Sequence, residues 1–298
     1  MGLAAVILLG AGLAAGAAVA KTKGAGKAFQ DCAECPEMVV IPAGEFQMGA
    51  PPDEAKRDVD EAQHRVSFAK PFAVARYQVT WDQWESCARD GACDAQAVES
   101  ALQGEGKVKP AEDFKDLGRG RHPVVGVSWY DAQRFAGWLN AKTGTNRYRL
   151  LSESEFEYAA RAGTATAFPW GDKATHEQAN YGKDDDEGLG GKAEGRDVWA
   201  DRTAPVGSFP PNGFGLYDMH GNTYEWVEDC YEKDATLLPT DGSAMKGGNC
   251  AVRVMRSTSF LSNPHTLRSA NRVGQYTPHG RGRNFIGFRV AKTLNRGG

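Results

Sequence analysis

Residues 217 to 226, YDMHGNTYEW, place oxygen donors at short, irregular spacing: the Asp218 carboxylate, the backbone around Gly221 and Thr223, and the Glu225 carboxylate. Ca2+ takes roughly six to eight oxygens, mixing carboxylates with main-chain carbonyls, and a Gly allows the turn that aims both at one point. The stretch predicts a segment held by an ion rather than by a hydrogen-bond ladder. His220, inside it, has the donor chemistry of a transition-metal ligand, but a lone His beside Met219 reads more simply as an ordinary packed or surface side chain.

The surroundings agree with that reading. From Gly163 onward, regular periodicity largely disappears for roughly 90 residues, far more than a connection in a compact domain needs. Upstream, MVVIPAGEFQMGA (38–50) and RVSFAKPFAVARYQVT (65–80) are rich in β-branched and aromatic residues and predict strands. Three helices are predicted by capping-box pairs, Thr80 with Gln83, Ser128 with Asp131 and Ser152 with Glu155, each running to a glycine stop at Gly91, Gly144 or Gly163. In the second, Ala132, Phe135, Ala136 and Leu139 recur on one face, as do Phe156, Ala159 and Ala160 in the third. Glu153, Glu155 and Glu157 read as a solvated first turn favoured by the helix dipole. NFIGFRVAKTL (284–294) predicts a last strand.

The chain has 298 residues, 41% hydrophobic and 24% charged, which excludes a disordered polymer and fits one domain over residues 37–298. Residues 1–20 are uncharged and apolar and end in Ala18-Val19-Ala20, the pattern of a cleaved export signal; their length also suits a retained membrane tether. Residues 21–36 read as a flexible lead-in carrying a cysteine pair. The six cysteines of an exported chain are expected to pair, and proximity favours Cys32 with Cys35, Cys87 with Cys93, and Cys230 with Cys250, among many possible connectivities. The location expected is periplasmic or secreted. The segment from Ala251 holds eight Arg, one Lys and no acidic residue, so it carries +9 in a chain of net charge −3. Such a tail either attracts an anionic ligand or polypeptide or pairs internally with the acidic body. It lacks the aromatic interleaving of a nucleic-acid platform.

Together, MVVIPAGEFQMG, HPVVGVSWYDAQRFAGWLN, YRLLSESEFEYAARAG, FPWGD, TAPVGSFPPNGFGLYDMHGNTYEWVEDC and IGFRVAKT, in that order, resemble the formylglycine-generating enzyme (sulfatase-modifying factor) family. The resemblance implies an α+β, variant C-type-lectin-like fold, low in regular secondary structure and bound to two calcium ions. It assigns one calcium to Asn180, the Tyr181 carbonyl, Asp197 and the Trp199 carbonyl. It assigns the other to Asp218, the Gly221 and Thr223 carbonyls and Glu225, the set reached above from spacing.

The family's oxygen-dependent enzymes carry a segment of the type GGSFLC, with a second Cys five residues on, and the two thiolates hold Cu(I). Here the segment is STSFLSNPHTL, with Ser262 and Leu267 at the two positions. A hydroxyl of ordinary pKa and an alkyl group do not replace soft thiolates, so no copper site and no sulfatase-activating chemistry are expected. A serine nucleophile needs a base, and His265 is the local candidate.

Two readings follow. One is an exported enzyme of other specificity, oxidising a peptide or siderophore-like precursor, as relatives that mature pyoverdine do; its redox metal is undefined. The other is a non-catalytic, monomeric binding module that presents Asn263, Arg268, Asn271, Arg272, Tyr276, His279 and Arg281 to a peptide or a small polar or anionic ligand.

Overall fold

The computed structural model describes residues 26–102, 117–182, 195–199, 201–281 and 283–294. The leader at residues 1–20 falls outside them.

The two β-rich runs each fold into a pair of strands. The first gives β2 (Met38–Ile41) and β3 (Gly44–Met48), the second β4 (His64–Phe68) and β5 (Phe72–Ala75). β3 and β4 form a separate antiparallel hairpin, while β2 and β5 enter a five-stranded sheet. Its other strands are β1 (Ala28–Phe29), β6 (Tyr148–Leu150) and β11 (Val290–Thr293), in the order β1-β2-β5-β11-β6 with all neighbours antiparallel. All four residues of β5 are buried, as a central strand covered on both faces requires. Of the lead-in expected to be flexible over residues 21–36, residues 21–25 lie outside the described residues, while Ala28–Phe29 are paired as β1. From Gly26 the chain is hydrogen-bonded to β2, through Gly26 N–H to the Val40 carbonyl at 2.9 Å, and the Cys32–Cys35 disulfide closes the turn between them.

A second sheet, ordered β10-β7-β8-β9, carries the region of interest. β7 spans Tyr224–Tyr231, β8 Asn249–Arg256, β9 Val273–Tyr276 and β10 Ile286–Phe288. The single last strand expected over 284–294 is therefore two strands in two sheets, β10 and β11, parted at Arg289. β7 and β8 are joined by Cys230–Cys250, and Cys87–Cys93 closes the end of α1 (Trp81–Arg89).

The capping boxes of α1, α3 (Trp129–Thr143) and α4 (Glu153–Arg161) all form, with Thr80, Ser128 and Ser152 accepting from the backbone N–H three residues on. Each such cap stabilises by about 0.5–2 kcal/mol. Helix α3 stops at Gly144 in the left-handed conformation, whereas α4 takes that conformation at Ala162, one residue before the expected Gly163. A further helix, α2 (Ala95–Leu102), was not expected from the sequence; Asp94 Oδ1 accepts from Ala97 N–H at its start.

The predicted faces of α3 and α4 are buried, Phe135 and Leu139 completely. Phe135 packs on Trp84 of α1 and Phe288 of β10, with ring centroids 6.1 and 5.4 Å away. Burial of each such side chain contributes about 1.5–3 kcal/mol. Between α4 and β7 the described residues form no named helix or strand. Leu267 belongs to a small apolar cluster beneath this stretch, with Ala167, Phe168, Ala179 and Tyr181.

Candidate functional site

The first oxygen centre lies in the irregular stretch before β7. Asp197, fully buried, accepts from Tyr181 N–H at 3.3 Å, from Trp199 N–H at 3.0 Å, and bonds His176 Nδ1 at 3.2 Å. The Asn180 amide nitrogen donates to the Arg202 carbonyl and to Asn222 Oδ1, which turns Asn180 Oδ1 the other way. That oxygen is buried with no hydrogen-bond partner. A buried acceptor without a donor is costly, and a hard cation would satisfy it. Through that oxygen the expected set of Asn180, Asp197 and the carbonyls of Tyr181 and Trp199 would fit calcium, whose role would be to fix this loop; the Trp199 carbonyl also accepts from Arg202 N–H at 2.8 Å.

The second centre is built differently. The carbonyls of Asp218, Gly221 and Thr223 and Glu225 Oε1 converge, with the Asp218 carbonyl where the spacing predicts its carboxylate, and Gln78 and Arg289 meet them. Asp218 contributes its carbonyl; its carboxylate oxygen Oδ2 accepts from Gly207 N–H at 2.8 Å. Burial raises the Asp218 pKa to about 6. Gly221 stands where no other residue fits: its φ is +85°, and a Cβ would lie 2.4 Å from the Asn180 carbonyl. His220 is a packed side chain, 5.3 Å from the Trp170 ring and hydrogen-bonded to the Leu267 carbonyl at 2.8 Å. Its burial pulls the imidazole pKa down to about 4.

These centres anchor the segment from Ser257 to Leu267. Ser257 Oγ donates to the Gly221 carbonyl, Phe260 N–H to the Asn222 carbonyl, and Gly182 N–H to the Ser262 carbonyl at 2.7 Å. A Cβ on Gly182 would come within 2.7 Å of that carbonyl, so the close approach needs glycine. The Ser262 hydroxyl donates to Tyr224 Oη at 3.1 Å and lies 3.1 Å from Ser259 Oγ. Its hydrogen-bond partners are hydroxyls and the Ser259 N–H rather than the His265 imidazole. Leu267 is 1% exposed. All six cysteine sulfurs are in the three disulfides that proximity favours.

The basic tail is mostly turned inward. Arg256 on β8, fully buried, bonds Glu153 at 3.0 Å and Glu157 at 2.7 Å. Arg272 clasps Glu153 at 2.6 and 2.9 Å. Arg268 bonds Glu61 at 2.7 and 2.9 Å and Glu54 at 2.8 Å. Internal pairing, the second of the two expectations for this tail, is what these arginines do. Two corrections follow. Glu153, Glu155 and Glu157 are buried, not solvated, with Glu155 held by Arg149. Burial would raise Glu157, yet the charges of Arg161 and Arg256 outweigh it and hold its carboxyl below the ordinary value. Arg268, Asn271 and Arg272, expected on the ligand surface, are at most 7% exposed and belong to the frame.

Asn263 and Tyr276 are half-buried, and His279 and Arg281 are exposed. Tyr276 rests 6.3 Å from Phe285, and His279 4.7 Å from Tyr130. Arg281 clasps Asp131 at 2.6 and 2.7 Å. It lines one groove, beside Arg134 and α1, while His265 lines another. The expected recognition surface is therefore divided.

The His265 groove, about 570 Å3, runs beside the segment and is bordered by Glu54, Lys56, Phe168, Asp172 and Arg268. Its mixed charge and single aromatic wall suit a polar or peptide-like ligand. Sequence reasoning missed Gln78, Arg289, Asn222, Tyr224 and His176. Gln78 and Arg289 carry no local signal, because their partners lie 64 to 214 residues away.

A family model described as the sulfatase-modifying factor enzyme 1-like domain matches residues 24–294. The chain is 31% identical over 268 residues to the serine/threonine-protein kinase pkn1 of Chlamydia pneumoniae, covering 87% of this chain but only 38% of that protein's length. It is 30% identical over 265 residues to the formylglycine-generating enzyme of Thermomonospora curvata, covering 75% of this chain and 82% of that one. The solved structure of PvdO from Pseudomonas aeruginosa matches with a TM-score of 0.74 at 40% identity, over 92% of this chain and all of that one. The ordered motifs, the α+β fold they build and a match over residues 24–294 converge: the chain belongs to the sulfatase-modifying factor family, which it shares with formylglycine-generating enzymes.

Proposed function

We propose that this chain is an exported family member that does not activate sulfatases, and that it binds a peptide or small polar precursor in the His265 groove for oxidative modification of other specificity. One observation carries the reading: at the two positions of the family's copper-binding thiolates stand Ser262, bonded to Tyr224 and Ser259, and Leu267, packed in the interior. With all six sulfurs in disulfides, no thiolate pair is available for Cu(I). Three disulfides and the apolar leader support the periplasm or the exterior. Among the described residues, no helix is long and apolar enough to cross a membrane.

The test is direct. The purified chain, incubated with a CxPxR peptide, Cu(I) and oxygen, is expected to leave the cysteine unchanged by mass spectrometry, and an aldehyde product refutes the reading. A non-catalytic binding module is the second reading, favoured because the Ser262 hydroxyl is bonded to other hydroxyls rather than to a base. Metal analysis separates the two: stoichiometric iron or copper supports oxidation, and calcium alone supports binding.

A further inference from the structure

The oxygens of the second centre face donors that belong to the chain itself. Gln78 Nε2 lies 3.5 Å from the Asp218 carbonyl, 3.4 Å from those of Gly221 and Thr223, and 3.1 Å from Glu225 Oε1. The orientation of that amide follows from its neighbours. Ala204 N–H donates to Asn222 Oδ1 at 2.8 Å, and Asn222 Nδ2 donates to the Ala204 carbonyl at 3.1 Å, so the backbone fixes which way Asn222 points. Asn222 Nδ2 also donates to Gln78 Oε1 at 2.9 Å. Two amide NH2 groups cannot face each other productively, so Gln78 must aim its own NH2 at the converging oxygens.

Arg289 completes the replacement. Its guanidinium bonds both Glu225 oxygens, at 2.7 and 2.8 Å, and the Tyr217 and Asp218 carbonyls at 3.0 Å. The Gly221 carbonyl accepts from Thr223 N–H at 2.9 Å and from Ser257 Oγ at 3.3 Å. Glu225, fully buried, is thus already neutralised, and of the four oxygens three have donors besides Gln78. A divalent ion placed there would displace an inward-pointing NH2 and sit beside a buried positive charge, both unfavourable where dielectric screening is weak.

We infer that Gln78 and Arg289 take the place of a metal ion at the second centre, leaving a single calcium site, at Asn180, Tyr181, Asp197 and Trp199. The inference is independent of the proposed reaction. It makes the two centres unlike: the first keeps a buried oxygen, Asn180 Oδ1, without a donor, and the second is met by donors of the chain itself. They touch through Asn222, which accepts from Asn180 Nδ2 and donates to Gln78.

The experiment is equilibrium dialysis of the full chain against labelled calcium, with atomic emission as a second count. One ion per wild-type chain is expected, and none in Asp197→Asn. A wild-type count of two or of zero, or a single ion that persists in folded Asp197→Asn, overturns the inference. Should Asp197→Asn not fold, Gln78→Leu decides: it is expected to bind the same single ion and to melt lower at every calcium concentration. Restoration of its melting temperature by calcium refutes the replacement.

Discussion

Removing the Arg268 side chain beyond its methylenes, as Arg268→Met, should unfold the wall of the His265 groove before it affects any ligand. The guanidinium makes bonds of 2.7 and 2.9 Å to Glu61, which is fully buried, and one of 2.8 Å to Glu54. No other side chain of the described residues bonds the Glu61 carboxylate. Its loss leaves a desolvated charge unpaired, a defect of about 3–5 kcal/mol, against a total stability of about 5–15 kcal/mol. With a urea m-value near 3 kcal/mol/M, the midpoint should fall by roughly 1–1.7 M. Added salt should change the loss little, because buried charges are poorly screened. The double variant Glu61→Leu with Arg268→Met removes the fully buried pair and should regain part of the loss, since an apolar pair of similar volume is often neutral, while Glu54 still lacks the bond that Arg268 gave it. A midpoint shift below ~0.3 M in Arg268→Met, or additive losses in the double variant, would refute the structural role and return Arg268 to the ligand surface.

Other outcomes follow from the same frame. Burial raises Asp131, but Arg281 and Ser128 override it and hold its carboxyl below the ordinary 3.8. Its contribution is therefore present above that value and lost as pH falls through the lower folded one. Arg281→Gln should reduce stability near neutrality and flatten the acid limb in urea titrations between about pH 2 and 5; an unchanged limb contradicts the pairing. Cys230→Ala with Cys250→Ala opens a loop with a sequence separation of 20 and should lower stability by about 2–4 kcal/mol in non-reducing urea melts. Ser152→Ala removes the cap of α4 and a bond to the Gly242 carbonyl, with an expected loss of about 1–2 kcal/mol by thermal melts.

What the sequence made legible was local. The caps at Thr80, Ser128 and Ser152 were readable because donor and acceptor sit three residues apart. The disulfides were favoured because each closes a short loop. The start of α2 is less legible, because Asp94 caps Ala97 N–H without the reciprocal side chain that marks the other three helices. What escaped was long-range pairing. Glu153 is the first residue of an amphipathic helix and looks solvated until Arg256 and Arg272 arrive from 103 and 119 residues away. Arg268 looks like a free cation until Glu61, 207 residues upstream, is folded against it. At the second centre the spacing of 218–225 points to the Gly221 and Thr223 carbonyls and Glu225 but to the wrong oxygen of Asp218, and the donors that meet them leave no local trace, since Gln78 stands 140 residues before Asp218.

The path of residues 257–262 is set largely by peptide groups: Phe260 N–H on the Asn222 carbonyl, the Ser262 carbonyl on Gly182 N–H, and Ser262 N–H on the Ser259 carbonyl. Peptide groups are the same whatever side chain they bear. Evolution can therefore retool these positions, trading a sulfur for a hydroxyl, with the loop still tracing one course, so that old reactivity disappears and new reactivity arises on an inherited backbone.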